Sequence, residues 1–217
     1  MKARPILFSA PMIRALIAGQ KKATRRIVQP ARHPYGERMA ADEVAAEFLG
    51  GTCAVRSPYG APGDLLWVRE TWAASHAYDH LPPRLILNDA RIHFAATAER
   101  GGLLWRPSIH MPRWASRITL RITDARVQRL QEISEEDAIA EGVEGAFVED
   151  GRYWRNYGLS DEDAACSPML VSPIHSFKSL WESIYGPESW HDDPFVWALT
   201  FEVIKANVDA VIAETAP

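Results

Sequence analysis

Cysteine is scarce in this chain: two occur in 217 residues, Cys53 and Cys166. They lie far apart and without CxxC spacing, which excludes a disulfide framework and a thiolate zinc site and leaves two ordinary free thiols. Of the seven histidines only His76 and His80 stand four apart, with no further Cys or His at metal-ligand spacing, so neither a metal nor a cofactor is expected. A Gly-rich phosphate loop is missing. No apolar run approaches the roughly 18 residues of a membrane span, and the N-terminus lacks the basic, apolar and small-residue succession of a signal peptide. The expectation is therefore a cytoplasmic protein with no membrane partner. Excess positive charge is missing as well. A net charge of −4 argues against coating nucleic acid non-specifically, because that mode needs many phosphate contacts.

What is present is enough apolar material for a sizeable core, 47% of the residues, and an uneven distribution of charge. Residues 1–36 carry eight Lys or Arg and no acid, whereas 131–165 carry eleven Asp or Glu against Arg152 and Arg155. Such polarity either sets a basic face against an acidic one within the fold or presents a polarised surface to a partner.

Ser9-Ala10-Pro11 reads as a helix start, Met12, Ile13, Leu16 and Ile17 as its apolar stripe, and Gly19 as its left-handed stop. An Ala-rich helical stretch follows from Asp42 to Phe48 inside a long excursion. Gly60-Ala61-Pro62-Gly63-Asp64 is a turn feeding a strand from Leu65 to Trp72, and Arg91 to Ala96 is another strand. Ile118, Leu120 and Ile122 alternate with Thr119, Arg121 and Thr123, and Asp124-Ala125 is expected to turn the chain into a second strand from Arg126 to Leu130. Ser134 and Asp137 approximate a capping box for a helix from Glu135 to Glu141 that stops at Gly142. Residues 144–172 read as a loop, Ile174 to Ile184 as a helix, Phe195 to Ile204 as a closing strand, and 205–217 as a tail or an appended short helix. Short helices between strands without regular βαβ alternation indicate an α+β fold with a mostly antiparallel, partly closed sheet.

The run Lys21-Lys22-Ala23-Thr24-Arg25-Arg26 sets four cations around one hydroxyl, just beyond Gly19. Like-charge repulsion lowers an amine's pKa, and a neutral amine beside a hydroxyl is a base beside a nucleophile. Lys21 and Thr24 are thus the first candidates for chemistry; the alternative is a solvated basic turn.

Gly19-x-Lys21-x-x-Thr24-x-Arg26, Pro62-Gly63-Asp64 running into Trp67-Val68-Arg69-Glu70, Ser134-Glu135-Glu136-Asp137-Ala138-x-x-Glu141-Gly142 and the terminal aromatic strand occur in one order. Together they resemble the ASCH-domain family of the PUA-like superfamily, especially its longer phage and prophage members, which also have a near counterpart of Arg106 to Arg117. The resemblance covers roughly residues 5–26, 59–72, 105–143 and 177–204 and leaves insertions near 31–58, 75–100 and 144–172. Lys22 departs from the threonine that many relatives have there. The resemblance implies a single PUA-like β-barrel domain over 1–204, with the Lys21 to Arg26 segment lining a cleft. It also implies the activity of small bacterial members, amidohydrolases that remove acyl groups from the exocyclic nitrogen of cytidine. Their lysine, threonine and glutamate fall on Lys21, Thr24 and Glu141. In that scheme Lys21 is the base, Thr24 the nucleophile or a partner of the attacking water, and Glu141 the group that orients Lys21, with Arg26 or backbone N–H groups stabilising the oxyanion.

Each candidate has a plainer reading. Glu141 is otherwise the surface end of an acidic helix; Glu70, its rival carboxylate, otherwise pairs with an arginine. His110, beside Arg113 in a proline-bracketed segment, contacts a ligand or makes a structural hydrogen bond. Trp67, Trp72 or Trp114 stacks a pyrimidine or sits in the core. Three functions follow: an amidohydrolase for a modified pyrimidine nucleoside or another small acylated amine, an RNA-binding module whose cations meet phosphates, and a ribonuclease. The acidic net charge favours the small substrate.

Overall fold

The computed structural model describes residues 1–32, 38–51, 56–98, 101–148, 151–159 and 170–215; Cys53 and Cys166 lie outside them. In chain order the elements are β1 (Ala3–Leu7), α1 (Ala10–Ile17), β2 (Ala23–Ile27), β3 (Ala31–Arg32), β4 (Arg38–Met39), α2 (Ala41–Leu49), β5 (Leu65–Arg69), β6 (Trp72–Ala74) and β7 (Ile92–Phe94). They continue with β8 (Thr119–Arg129), α3 (Glu135–Ala140), β9 (Gly145–Val148), β10 (Gly151–Trp154), α4 (Pro173–Tyr185), β11 (Phe195–Ile204) and α5 (Val208–Thr215). The fold is α+β. Its largest sheet has the order β1-β5-β8-β11-β2, with β1 parallel to β5 and the β5–β8 and β11–β2 pairs antiparallel. That order has two ends, and among the described residues no pairing closes it into a barrel. No described helix is long and apolar enough to cross a membrane.

Contacts gather into two compact units, one of Met1–Gly19, Pro58–Thr123 and Phe201–Pro217, the other of Gln20–Ser57 and Asp124–Thr200. In the first, Pro11 opens α1 where a missing N–H costs nothing, Ile13 and Leu16 are buried, and Gly19 closes the helix at φ +73°. The turn before β5 is built on Asp64, whose carboxylate accepts from Lys2 N at 2.7 Å, Ala61 N at 3.3 Å and Arg4 Nη1 at 3.1 Å. Gly60 is required there, because a Cβ would lie 2.8 Å from Asp64 Oδ2 and 2.7 Å from Arg4 Nη1. Leu65 and Trp67 of β5 pack with Val208 and Val211 of α5, so the C-terminal segment is a docked helix rather than a loose tail. A second cluster holds Trp72, Ala74, Ile86, Met111 and Ala115.

The other unit is built on Leu130, Ile133, Ala138, Val143, Trp154, Phe177, Trp181 and Val196. Burying each large member contributes about 1.5–3 kcal/mol. Within it β2 pairs with β11 from Ala23↔Thr200 to Ile27↔Val196. Two expectations are corrected. Asp124-Ala125 does not turn; β8 is one strand of eleven residues, since Asp alone tolerates a positive φ and Ala125 supplies neither that nor the fixed φ that a tight hairpin turn exploits. The loop expected at 144–172 contains the β9–β10 hairpin, whose register runs from Gly145↔Trp154 to Val148↔Gly151. Gly145 lies against the Trp154 ring, where a Cβ would come within 2.9 Å, and that closeness is a packing fact invisible in local propensity.

Candidate functional site

The second unit places an amine on a carboxylate. Ser134 Oγ accepts from Asp137 N at 3.1 Å and so caps α3, a contact contributing about 1 kcal/mol. Seven residues after Ser134 the helix ends on Glu141, and Gly142 at φ +87° turns the chain away. Lys22 N donates to Ala140 O at 2.7 Å, which ties the segment entering β2 to the end of that helix. Lys21 Nζ then donates to Glu141 Oε2 at 2.8 Å and to Glu141 O at 2.7 Å. Both side chains are nearly out of water, with 1% and 4% of their surface exposed.

A second cation shares this carboxylate. Arg25 Nη1 donates to Glu141 Oε1 at 3.2 Å and its Nη2 to Asp137 Oδ2 at 2.6 Å, while Arg126 Nη2 donates to the same Asp137 oxygen at 2.6 Å. The Phe177 ring lies 5.9 Å from the Arg25 guanidinium carbon. Asp137 in the first turn of α3 and Glu141 at its C-cap, one helical turn apart, thus face one way and take Lys21, Arg25 and Arg126 between them.

Burial holds the Lys21 amine below its ordinary value of 10.5; attraction and hydrogen bonding from Glu141 oppose this, and Arg26 and Arg25 add to the lowering. Desolvation, rather than the like-charge repulsion expected from the run of cations, is the main cause. The reading of the run as a solvated basic turn fails on the same grounds. Lys21 and Arg25 are buried against acids, and only Lys22 of the four is exposed.

Thr24 does not join them. It is buried on β2 opposite Leu199, and strand alternation puts Thr24 and Arg26 on the face opposite to Ala23 and Arg25. Among the described residues its hydroxyl makes no hydrogen bond to Lys21 or Glu141. The structure brings Lys21 and Glu141 together. Arg26 is half-buried and pairs across the ladder with Trp197.

The remaining candidates belong to the first unit. Glu70 is buried and accepts a bidentate pair from Arg117, Nε to Oε1 at 2.8 Å and Nη2 to Oε2 at 2.9 Å; burial raises its pKa above 4.5 against the opposing pull of Arg117. Trp67 is a core residue packed on α5, with the Arg69 guanidinium 4.5 Å from its ring, so its faces are not free for a base. Trp72 is fully buried in the second cluster, and Trp114 packs against it from the edge. Arg113 Nη2 donates to Asp209 Oδ1 at 2.6 Å, and its carbonyl accepts from Asn207 Nδ2 at 3.0 Å, contacts that anchor the start of α5. His110 is exposed at the end of a short 3₁₀ turn. Arg25, Asp137 and Arg126 were missed as site residues; the i, i+4 spacing of Asp137 and Glu141 was the available signal.

Among the described residues no group of three or more His, Cys, Asp or Glu is placed to hold a metal ion. No family model, characterised protein or solved structure matches the chain.

Proposed function

We propose that the second unit carries the catalytic centre of an amidohydrolase that removes an acyl group from the exocyclic N4 of a cytidine-type nucleoside. The ASCH-type motif order supports this reading, together with one observation: a buried lysine amine, lowered in pKa, 2.8 Å from a buried carboxylate. Neutral Lys21 takes a proton from the attacking water as its oxygen bonds to the acyl carbon. Lys21 then returns that proton to N4 as the C–N bond breaks, which leaves cytidine and a carboxylic acid. Glu141 orients the amine, and backbone N–H groups or Arg26 meet the oxyanion. The attack is assigned to water because Thr24 lies on the other face of β2 from Arg25 and its carboxylate.

The test is release of cytidine from N4-acetylcytidine. Lys21→Ala and Lys21→Arg are both expected to abolish turnover, because arginine keeps the charge but holds its proton. Thr24→Val is expected to retain it, and loss on that substitution would make the hydroxyl the nucleophile. Near-wild-type turnover in Lys21→Arg would overturn the reading.

Burial favours a second reading, in which Lys21 and Glu141 only tie β2 to α3. It predicts no product from any acylated nucleoside and a Lys21→Ala protein that is merely less stable. Binding of RNA phosphates through the cation run loses support, since Lys21 and Arg25 already face acids.

A further inference from the structure

We infer that Arg25 is a positioning residue for the Lys21–Glu141 pair: its guanidinium takes one oxygen of Glu141 so that the other meets the amine, and Asp137, itself held by Arg126, sets the guanidinium in place. This deepens the proposed function and rests on it. The geometry is a fork between two carboxylates. Nη1 reaches Glu141 Oε1 at 3.2 Å, Nη2 reaches Asp137 Oδ2 at 2.6 Å, and Lys21 Nζ meets Glu141 Oε2 at 2.8 Å. A carboxylate held at one oxygen only can swing about its terminal torsion, which is broad. With both oxygens taken by separate donors, the plane of the group is set. The second carboxylate gives the arginine its own anchor. Asp137 Oδ2 receives Arg25 and Arg126 at 2.6 Å each, and Arg126 also holds Gln128 Oε1 at 2.9 Å and Asp124 Oδ2 at 3.3 Å along β8. The chain of contacts thus runs from a buried amine to a half-exposed guanidinium on a long strand. Phe177 of α4 stands beside the Arg25 guanidinium and limits where it can go.

Position and charge make different demands on residue 25. A lysine there keeps the charge, but one ammonium on a flexible stem does not reproduce a planar fork bridging two carboxylates. Removing or loosening Arg25 also has a definite sign at Lys21. The charged groups known to act on the amine are Glu141, which raises its pKa, and Arg26 and Arg25, which lower it; Asp137 and Arg126 act through Arg25. Loss of Arg25 removes a lowering influence and leaves Glu141 to the amine alone, so the amine holds its proton more tightly. An upward move of one pKa unit leaves about a tenth of the neutral amine at any pH below the inflection.

The experiment follows the Lys21 Cε and Nζ resonances through a pH titration of protein labelled at lysine, assigned with Lys21→Ala. It needs no substrate, so it decides the inference whether or not acylated cytidine is turned over; absence of turnover in the wild type would remove the proposed function alone. Arg25→Gln and Arg25→Lys are both expected to raise the titration point, Arg25→Gln by more because it also removes the charge. Arg126→Gln, at a half-exposed position that leaves Arg25 itself in place, is expected to move it by less and in the same direction. If the wild type turns over substrate, kcat at a pH below the inflection is expected to fall in both Arg25 variants, about tenfold for each pKa unit of upward move, with KM unchanged. An Arg25→Lys protein that titrates as the wild type would reduce the role to charge and overturn the inference. So would an unchanged titration in Arg25→Gln; should that variant not fold, an Arg25→Lys and Arg126→Gln pair that both titrate as the wild type has the same force.

Discussion

Glu141 and Glu70 are both carboxylates withdrawn from water and paired with cations, one in each unit, yet they are built for different ends. Glu70 meets a single arginine in a bidentate fork, and that Arg117 side chain keeps 28% of its surface in solvent and lies 4.0 Å above the Phe94 ring. Arginine does not give up its proton in a protein. The cation of this pair therefore cannot serve as a base. Glu141 meets two cations that are each 1% exposed, and one of them is a lysine whose pKa is depressed. Only that arrangement contains a cation able to lose its proton, and burial moves that loss to lower pH. The contrast teaches that a buried ion pair suggests chemistry through the identity of the cation and the direction of its pKa, rather than through burial as such.

The sharpest break in this comparison is removal of each carboxylate charge in turn. Glu141→Gln strands two buried cations and is expected to cost about 3–5 kcal/mol of stability. Glu70→Gln frees an arginine that can turn to water, and the expected cost is about 1–3 kcal/mol. Urea unfolding of the two variants measures both, and only Glu141→Gln is expected to lose turnover of N4-acetylcytidine. Equal stability losses would end the distinction drawn between the two sites.

A smaller effect lies in pH. The lowered Lys21 pKa means that between that value and 10.5 the unfolded chain binds the proton and the folded one does not, so this group makes stability rise with pH across that window. Glu70 has the opposite sign. Between 4.5 and its raised value the folded state holds the proton, so stability falls as pH rises there. Unfolding free energies measured across each window should lose the first slope in Lys21→Met and the second in Glu70→Gln. A slope that survived its own substitution would assign the linkage to another group. Since burial sets the Lys21 shift, the inflection of the catalytic rate should also move little with added salt, which screens exposed charges far more than buried ones. A marked upward move at high salt would return the cause to the surrounding cations.

Gly142→Ala comes next, at φ +87°, with an expected cost of about 1–2 kcal/mol from forcing a side chain into the left-handed region. The same change should lower turnover by displacing the helix end that carries Glu141, whereas an unchanged rate would show that the pair tolerates the shift. Smallest of all is Arg113→Ala. Its ion pair with Asp209 is 40% and 60% exposed on its two sides, and such pairs contribute about 0–1 kcal/mol. Thermal unfolding should barely register it.

Much of the fold was legible because local chemistry and tertiary structure agree. Ser134 and Gly142 bracket α3 within a residue of the expected limits, and the Gly60 to Asp64 turn leads into β5 as its composition indicates. The strand through Asp124 and Ala125 was illegible because an aspartate beside a small residue in the middle of a strand looks like a turn unless its neighbours are known. The β9–β10 hairpin was hidden for a related reason, since Gly145 reads as a breaker and is in fact a seat for Trp154. Within the site, Lys21 and Glu141 could be named from the motif spacings, but Arg25 read as one more charge in a run.

What the sequence by itself determined is where the chain must start and stop its elements and which side chains are chemically capable: a lysine just past a glycine stop, and two carboxylates four apart on a capped helix. Those are short-range properties, governed by backbone conformations and by helical period. Only tertiary structure decided which charges are buried, which carboxylate takes which cation, and on which face of β2 each side chain falls. Desolvation and pairing depend on residues more than a hundred positions apart, as Lys21 and Glu141 are. The lowered pKa of Lys21 comes first from being buried and only then from its neighbours in the chain.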